Sequence, residues 1–205
     1  MKIERFLIGI ISTNCYIVQN EETKEAVVID PAAAPAYVLS HVKSMGLEVK
    51  AILLTHGHFD HILGLDGWLK EWSVPVYAHM HEKELLEDPK LNMSVVYGAG
   101  YGFPNASYTR DGQKIQAAGM EFEVIHTPGH TAGGCCYYME KEGVLFSGDT
   151  LFCHSMGRTD FPTGSEATLI RSIKEKLLVL PEETKVYPGH EAETFIGEEK
   201  RVWGI

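Results

Sequence analysis

Thr55-His56-Gly57-His58-Phe59-Asp60-His61, entered from the apolar run Ala51-Ile52-Leu53-Leu54, is the stretch on which the reading of this chain turns. The apolar run reads as a buried strand. The segment at its end sets three imidazoles and a carboxylate within six residues. In an extended segment His56 and His58 can point one way while Asp60 and His61 turn off it, so the stretch has ligands enough for parts of two metal sites.

Further ligand types arrive singly, each at the end of a strand-like run. Glu121-Phe122-Glu123-Val124-Ile125 leads to Pro128-Gly129-His130, and Lys185-Val186-Tyr187 leads to Pro188-Gly189-His190. Proline and glycine end the strand and turn the backbone, which makes the imidazole project from the strand's end. Between them Val144-Leu145-Phe146-Ser147 feeds Gly148-Asp149. A carboxylate has two oxygens and can bridge two cations, which a neutral imidazole cannot.

The succession His-x-His-x-Asp-His, His, Asp, His resembles the metallo-β-lactamase superfamily, and within it the small glyoxalase II-like hydrolases. The likeness continues through Gly148-Asp149-Thr150-Leu151-Phe152, Gly157-Arg158-Thr159-Asp160-Phe161 and the tail from Pro188 to Glu199, so it covers essentially the whole chain. It implies an α/β fold, the four-layer αββα sandwich, with metals at one edge between two sheets. It also implies that His56, His58 and His130 hold a first metal, that Asp60, His61 and His190 hold a second, and that Asp149 bridges them. The cofactors implied are two divalent cations, zinc first, with iron or manganese as alternatives. Imidazole and carboxylate suit all three, and no cysteine in the set selects zinc.

Two cations sharing a water lower its pKa from about 15.7 to roughly 7, which supplies a hydroxide nucleophile without serine or cysteine. A thiolate leaves readily because a free thiol has a pKa of about 8.5, whereas an expelled amine needs a proton in the transition state. Thioester hydrolysis through a metal-bridging hydroxide is therefore the least demanding activity, and the glyoxalase II resemblance implies S-lactoylglutathione or a related hydroxyacyl thioester as its substrate. An iron-dependent persulfide dioxygenase, binding one iron through His56, His130 and Asp149, is the alternative that the same resemblance carries. A non-catalytic metal- or partner-binding module is the third.

At 205 residues the chain is expected to form one domain, 1–205. With 15 residues after His190, it is expected to be without the C-terminal helical domain that larger glyoxalase II enzymes use for glutathione. A net charge of −10 without a basic patch speaks against nucleic acid. No apolar run is long enough for a bilayer, and Met1-Lys2-Ile3-Glu4-Arg5-Phe6 has no signal-peptide organisation, so the expected setting is cytoplasmic with a small-molecule thioester as partner. Helices are expected over Pro35 to Met45, His61 to Trp72 and Ser165 to Leu180, the last with Ser165 as N-cap. Strands are expected at Cys15 to Val18, Ala26 to Ile29 and Val76 to Ala78. Cys135 and Cys136 read as adjacent strand residues facing opposite sides.

The glycine- and aromatic-rich segment Asp88 to Tyr108 is longer than the roughly 4–6 residues usual for a connection. Tyr97, Tyr101 and Phe103 are its candidate substrate contacts. His79 and His81 have no acidic or thiol partner at ligand spacing and predict no further metal site. His126 is expected to support the neighbouring ligands from behind, and His154 to face solvent.

Overall fold

The computed structural model describes residues 1–205. Six strands, β1 (Lys2–Ile8), β2 (Thr13–Gln19), β3 (Glu25–Ile29), β4 (Glu48–Leu53), β5 (Val76–His79) and β6 (Ser107–Thr109), form a first sheet in sequence order. Its opening hairpins are antiparallel and the β3 to β6 pairs are parallel. A second sheet takes β7 (Lys114–Ala117), β8 (Met120–His126), β9 (Cys135–Met139) and β10 (Val144–Gly148) as an antiparallel meander. The two-residue strands β11 (Leu151–Phe152) and β12 (Ser155–Met156) make a separate hairpin, after which β13 (Lys185–Pro188) pairs parallel to β10 and β14 (Thr194–Phe195) closes the edge.

Three cores make this a four-layer αββα sandwich. Strand β2 shows how the layers are encoded, because it is buried along its whole length. Tyr16 and Val18 point into the core between the sheets, beside Phe122, Tyr137 and Phe146, while Cys15 and Ile17 point into the core outside the first sheet. Alternate side chains of a strand face opposite sides, so a strand covered on both faces reads as an unbroken apolar run. The outer core of the first sheet is roofed by α1 (Ala36–Ser44) and α3 (Leu65–Glu71), whose Val38, Val42, Leu65 and Trp68 are fully buried. On the far side α5 (Glu166–Ser172) and α6 (Ile196–Val202) cover the second sheet through Leu169 and Ile196. Cys135 belongs to the middle core and Cys136 to the outer one, as their adjacency on a strand requires.

Two helices differ from expectation. The segment from His61 to Trp72 is broken into α2 (Phe59–Ile62) and α3. The Gly64 amide leaves the helical ladder to donate to Ala32 O at 2.6 Å, and a Cβ at Gly64 would lie 2.6 Å from the Ala33 carbonyl carbon. Only glycine permits that contact. The Ser165 helix begins where expected, but the Ser165 hydroxyl bonds Thr168 Oγ1 at 2.9 Å instead of capping a backbone amide. It continues as a π turn over Ile173–Leu177, which keeps Ile173 and Leu177 on the buried side. No helix is long and apolar enough to cross a membrane.

Candidate metal centre

The seven ligand-type residues converge at one edge of the sandwich, from the ends of strands in both sheets. His56 and His58 follow β4, Asp60 and His61 lie in α2, and His130, Asp149 and His190 follow β8, β10 and β13. One atom from each of His56, His58 and His130 falls within a 4.8 Å cluster, and so does one from each of Asp60, His61 and His190. Asp149 lies between the clusters. Its Oδ2 is 3.5 Å from both His130 Nε2 and His190 Nε2, and its Oδ1 is 3.5 Å from His61 Nε2.

The Pro-Gly-His turns owe their glycines to close packing. A Cβ at Gly129 would sit 2.3 Å from the Leu169 amide nitrogen of α5, and one at Gly189 would sit 2.2 Å from Asp149 Oδ1. The first glycine lets a helix rest on the turn. The second lets the Asp149 carboxylate rest on it.

Hydrogen bonds from behind set which ring nitrogen faces inward. His130 Nδ1–H donates to Arg158 O at 2.7 Å, and His61 Nδ1–H donates to Asp30 Oδ2 at 2.8 Å. Thr55 Oγ1 gives its only proton to Asp30 Oδ2 at 2.6 Å, so it accepts from His56 Nδ1 at 3.2 Å. His61 Nε2 faces the Asp60 and Asp149 carboxylates, and in the His56 and His130 rings the Nε2 lone pair is left pointing into the cluster. There His130 Nε2 stands 2.9 Å from His58 Nδ1 and 3.2 Å from His56 Nε2. Lone pairs facing one another at these distances repel unless a cation or proton lies among them.

The electrostatics divide the site. Burial, reinforced by the neighbouring imidazoles, pushes His58 down to about 3 and His56 well below its ordinary range, which keeps both as neutral ligands. Burial would also lower His61, but Asp60, Asp30 and Asp149 reverse this and hold it well above. Asp60 and Asp149 are held low against their own burial, chiefly by His61. His61 Nε2, Asp149 Oδ1 and His58 Nε2 are buried without a hydrogen-bond partner. Buried polar atoms are rarely left so, and neutral imidazoles converging with carboxylates are the donor set of a divalent transition metal. The residues fit cations at both clusters.

Asp30, outside the expected set, accepts hydrogen bonds from the Thr55 amide and hydroxyl and orients His61. It has the same signature as Asp149, a carboxylate at the end of an apolar strand, here Val27-Val28-Ile29. Thr13, also outside that set, donates its hydroxyl to Asp60 Oδ2 at 2.6 Å.

Of the three aromatic candidates only Tyr97 reaches the site. It stacks on Phe59 at 4.1 Å and lines a cleft of about 210 Å³ over the ligands, with Ile11, Phe152, Arg158 and Phe161. The placement of Tyr101 and Phe103 as substrate contacts is corrected. Asn92 and Ser94 side chains bond Tyr101 O at 2.8 and 2.9 Å, which folds the loop back so that Phe103 enters the outer core and the Tyr101 hydroxyl donates to Asp66. His126 touches no ligand; it stacks on His79 at 3.9 Å and donates to Ala132 O, bracing the turn that carries His130. His154 is exposed and bonds Glu198.

The family model described as the metallo-beta-lactamase superfamily matches residues 8–190. The hydroxyacylglutathione hydrolase GloC of Haemophilus influenzae is 32% identical over 204 residues, 98% of this chain and 96% of the relative. The crystal structure of the BLEG-1 B3 metallo-beta-lactamase is similar with a TM-score of 0.92 at 40% identity, covering 98% of this chain and 97% of that one. The structure of TTHA1623 in a di-iron-bound form is similar with a TM-score of 0.86 at 34% identity, covering 97% and 98%.

Proposed function

The chain belongs to the metallo-β-lactamase superfamily, and on that premise we propose that it is a metal-dependent hydrolase of thioesters. In this reading His56, His58 and His130 hold one divalent cation, Asp60, His61 and His190 hold a second, and Asp149 is shared. Zinc is the first assignment, with iron or manganese as alternatives, and the similarity to a di-iron-bound protein supports a pair of ions. Bound there, the cations supply Lewis acidity toward a carbonyl and toward water. Arg158 O and Asp30 keep His130 and His61 turned inward, and Thr13 holds the Asp60 carboxylate in place.

The observation that carries the substrate class is the lining of the cleft. Beyond the ligands it offers Ile11, Phe59, Tyr97, Phe152, Arg158 and Phe161, with no serine or cysteine nucleophile and no carboxylic acid to protonate a leaving group. Arg158 is already paired with Asp160 through two 2.7 Å hydrogen bonds and lies over the Phe161 ring. A thiolate leaves without a proton, and an amine does not. The similarity to GloC supports a hydroxyacyl thioester. A neighbouring hollow shares Ile11 and His190 and adds Arg5, Leu7 and Ser12, room for the remainder of the substrate beyond its reacting end.

Hydrolysis of a β-lactam is the second reading, favoured by the similarity to BLEG-1. The deciding experiment loads the chain with zinc or iron and compares thiol release from S-lactoylglutathione and simple acyl thioesters, ring opening of a chromogenic β-lactam, and oxygen uptake with glutathione persulfide. Thiol release is expected to have the highest kcat/KM, to vanish with a chelator and to return with metal. Oxygen uptake without thioester turnover would make the iron-dependent dioxygenase correct instead.

Tyr97→Ala is expected to change KM or the relative rates among thioesters by about 2- to 10-fold, the worth of one aromatic contact. Metal content should stay the same. Tyr101→Phe, which loses only the bond to Asp66, should leave substrate preference where it was. Equal effects of the two substitutions on substrate preference would remove Tyr97 from the binding surface.

A further inference from the structure

Glu82 ends the 3-10 turn Met80–Glu82 after β5 and is 1% exposed. Its carboxylate joins two loops. Oε1 accepts the amide N–H of Gly57, the residue between His56 and His58, at 2.8 Å. Oε2 accepts the hydroxyl of Thr131, the residue after His130, at 3.0 Å. The Gly133 amide also donates to this carboxylate, and a Cβ at Gly133 would come within 2.5 Å of Oε2. Burial pushes the carboxyl up to about 7, against these three hydrogen bonds. A buried acid without a cationic partner is costly, and apolar packing alone does not call for one at this position.

We infer that Glu82 is a positioning residue that sets the His56–His58 loop against His130 and thereby the affinity of the first cation site. The inference rests on the reading of those three histidines as cation ligands. Glu82 touches none of them. It acts through the backbone between two and the side chain beside the third, and all its partners are donors. Glutamine replaces it poorly, because the amide has one acceptor oxygen where two backbone N–H groups and a hydroxyl need acceptors; its NH₂ can donate to Thr131 Oγ1 but offers nothing to an N–H. Groups that orient ligands from behind are worth roughly 10–100-fold in metal affinity.

The test measures zinc binding by competition with a chromophoric chelator, in the wild-type chain and in a His190→Ala background that isolates the first site. Glu82→Gln is expected to weaken the first site by about 10–100-fold and to leave the second little changed. Thr131→Val should weaken the same site by a smaller factor, and the double variant should lose less than the product of the two. The thermal midpoints of the metal-free proteins separate a folding defect from a site defect. Wild-type affinity at the first site in both variants would overturn the inference, and so would parallel loss at both sites matched by a lower metal-free midpoint. If Glu82→Gln does not fold, Thr131→Val decides by the same criteria. A wild-type chain that takes up no zinc or iron would instead overturn the metal-centre reading itself.

Discussion

Asp149→Ala is expected to empty both cation sites and to lower kcat/KM by more than about 100-fold, since even a partner outside the ligand shell is worth roughly 10–100-fold. The expectation follows from the carboxylate's position. Its two oxygens lie 3.5 Å from inward-facing nitrogens of His130, His190 and His61, which spans both clusters. An imidazole cannot do this, because a neutral ring has a single nitrogen lone pair. His190→Ala is the control, since His190 contributes to one cluster only and should leave close to one ion per chain. Elemental analysis after dialysis against buffered metal reads both results, with far-UV circular dichroism to show that the fold persists. Two ions per chain in Asp149→Ala would refute the shared carboxylate.

Gly189→Ala should be nearly as damaging, although it removes no ligand. The added methyl would lie 2.2 Å from Asp149 Oδ1 and 2.8 Å from His61 Cε1, so either the Asp149 carboxylate or the His190 turn must move. Neither can move freely. The Gly189 amide donates to Gly148 O at 2.8 Å, and Gly189 O accepts from the Asn14 amide at 2.7 Å. Overpacking of this kind costs about 1–3 kcal/mol of stability, and the displaced Asp149 should weaken both sites. Gly46→Ala is the comparison, because its Cβ meets nothing within 4 Å while its φ of +67°, unlike that of Gly189, is left-handed. It should lose stability through backbone strain and keep its metal. Normal zinc affinity in Gly189→Ala would show that the turn yields more readily than its packing indicates.

Much of the site is legible in the sequence because its ligands stand where apolar strands end, and strand ends are marked by proline, glycine or a sudden polar residue. His56, His130, Asp149 and His190 all carry that mark. Asp30 carries it too, but it falls outside the recurrent histidine pattern and touches the ligands only in three dimensions. Arg158 orients His130 with a backbone carbonyl, for which side-chain identity leaves no trace. Glu82 lies within Met80-His81-Glu82-Lys83-Glu84, a composition that reads as a solvated helix face. The layered architecture was implied by family resemblance more than by periodicity, since β2 and β4 are buried on both faces or nearly so and show little alternation. The helix break at Gly64 and the inward turn of Tyr101 and Phe103 depend on contacts with Ala32, Asn92 and Ser94, all distant from what a periodic pattern records.

The three cores each hold one buried cysteine: Cys15 outside the first sheet, Cys135 between the sheets and Cys136 beneath α5. Burial pushes the Cys136 thiol up to about 11 and raises the other two as well. An alkylating reagent therefore finds only Cys153 in the folded chain, and each remaining thiol becomes reactive when its own layer opens. The molecule carries a built-in clock for its layers. The order in which Cys15, Cys135 and Cys136 acquire a label under mild denaturation dates the parting of the two sheets against the lifting of the helices, without any added probe.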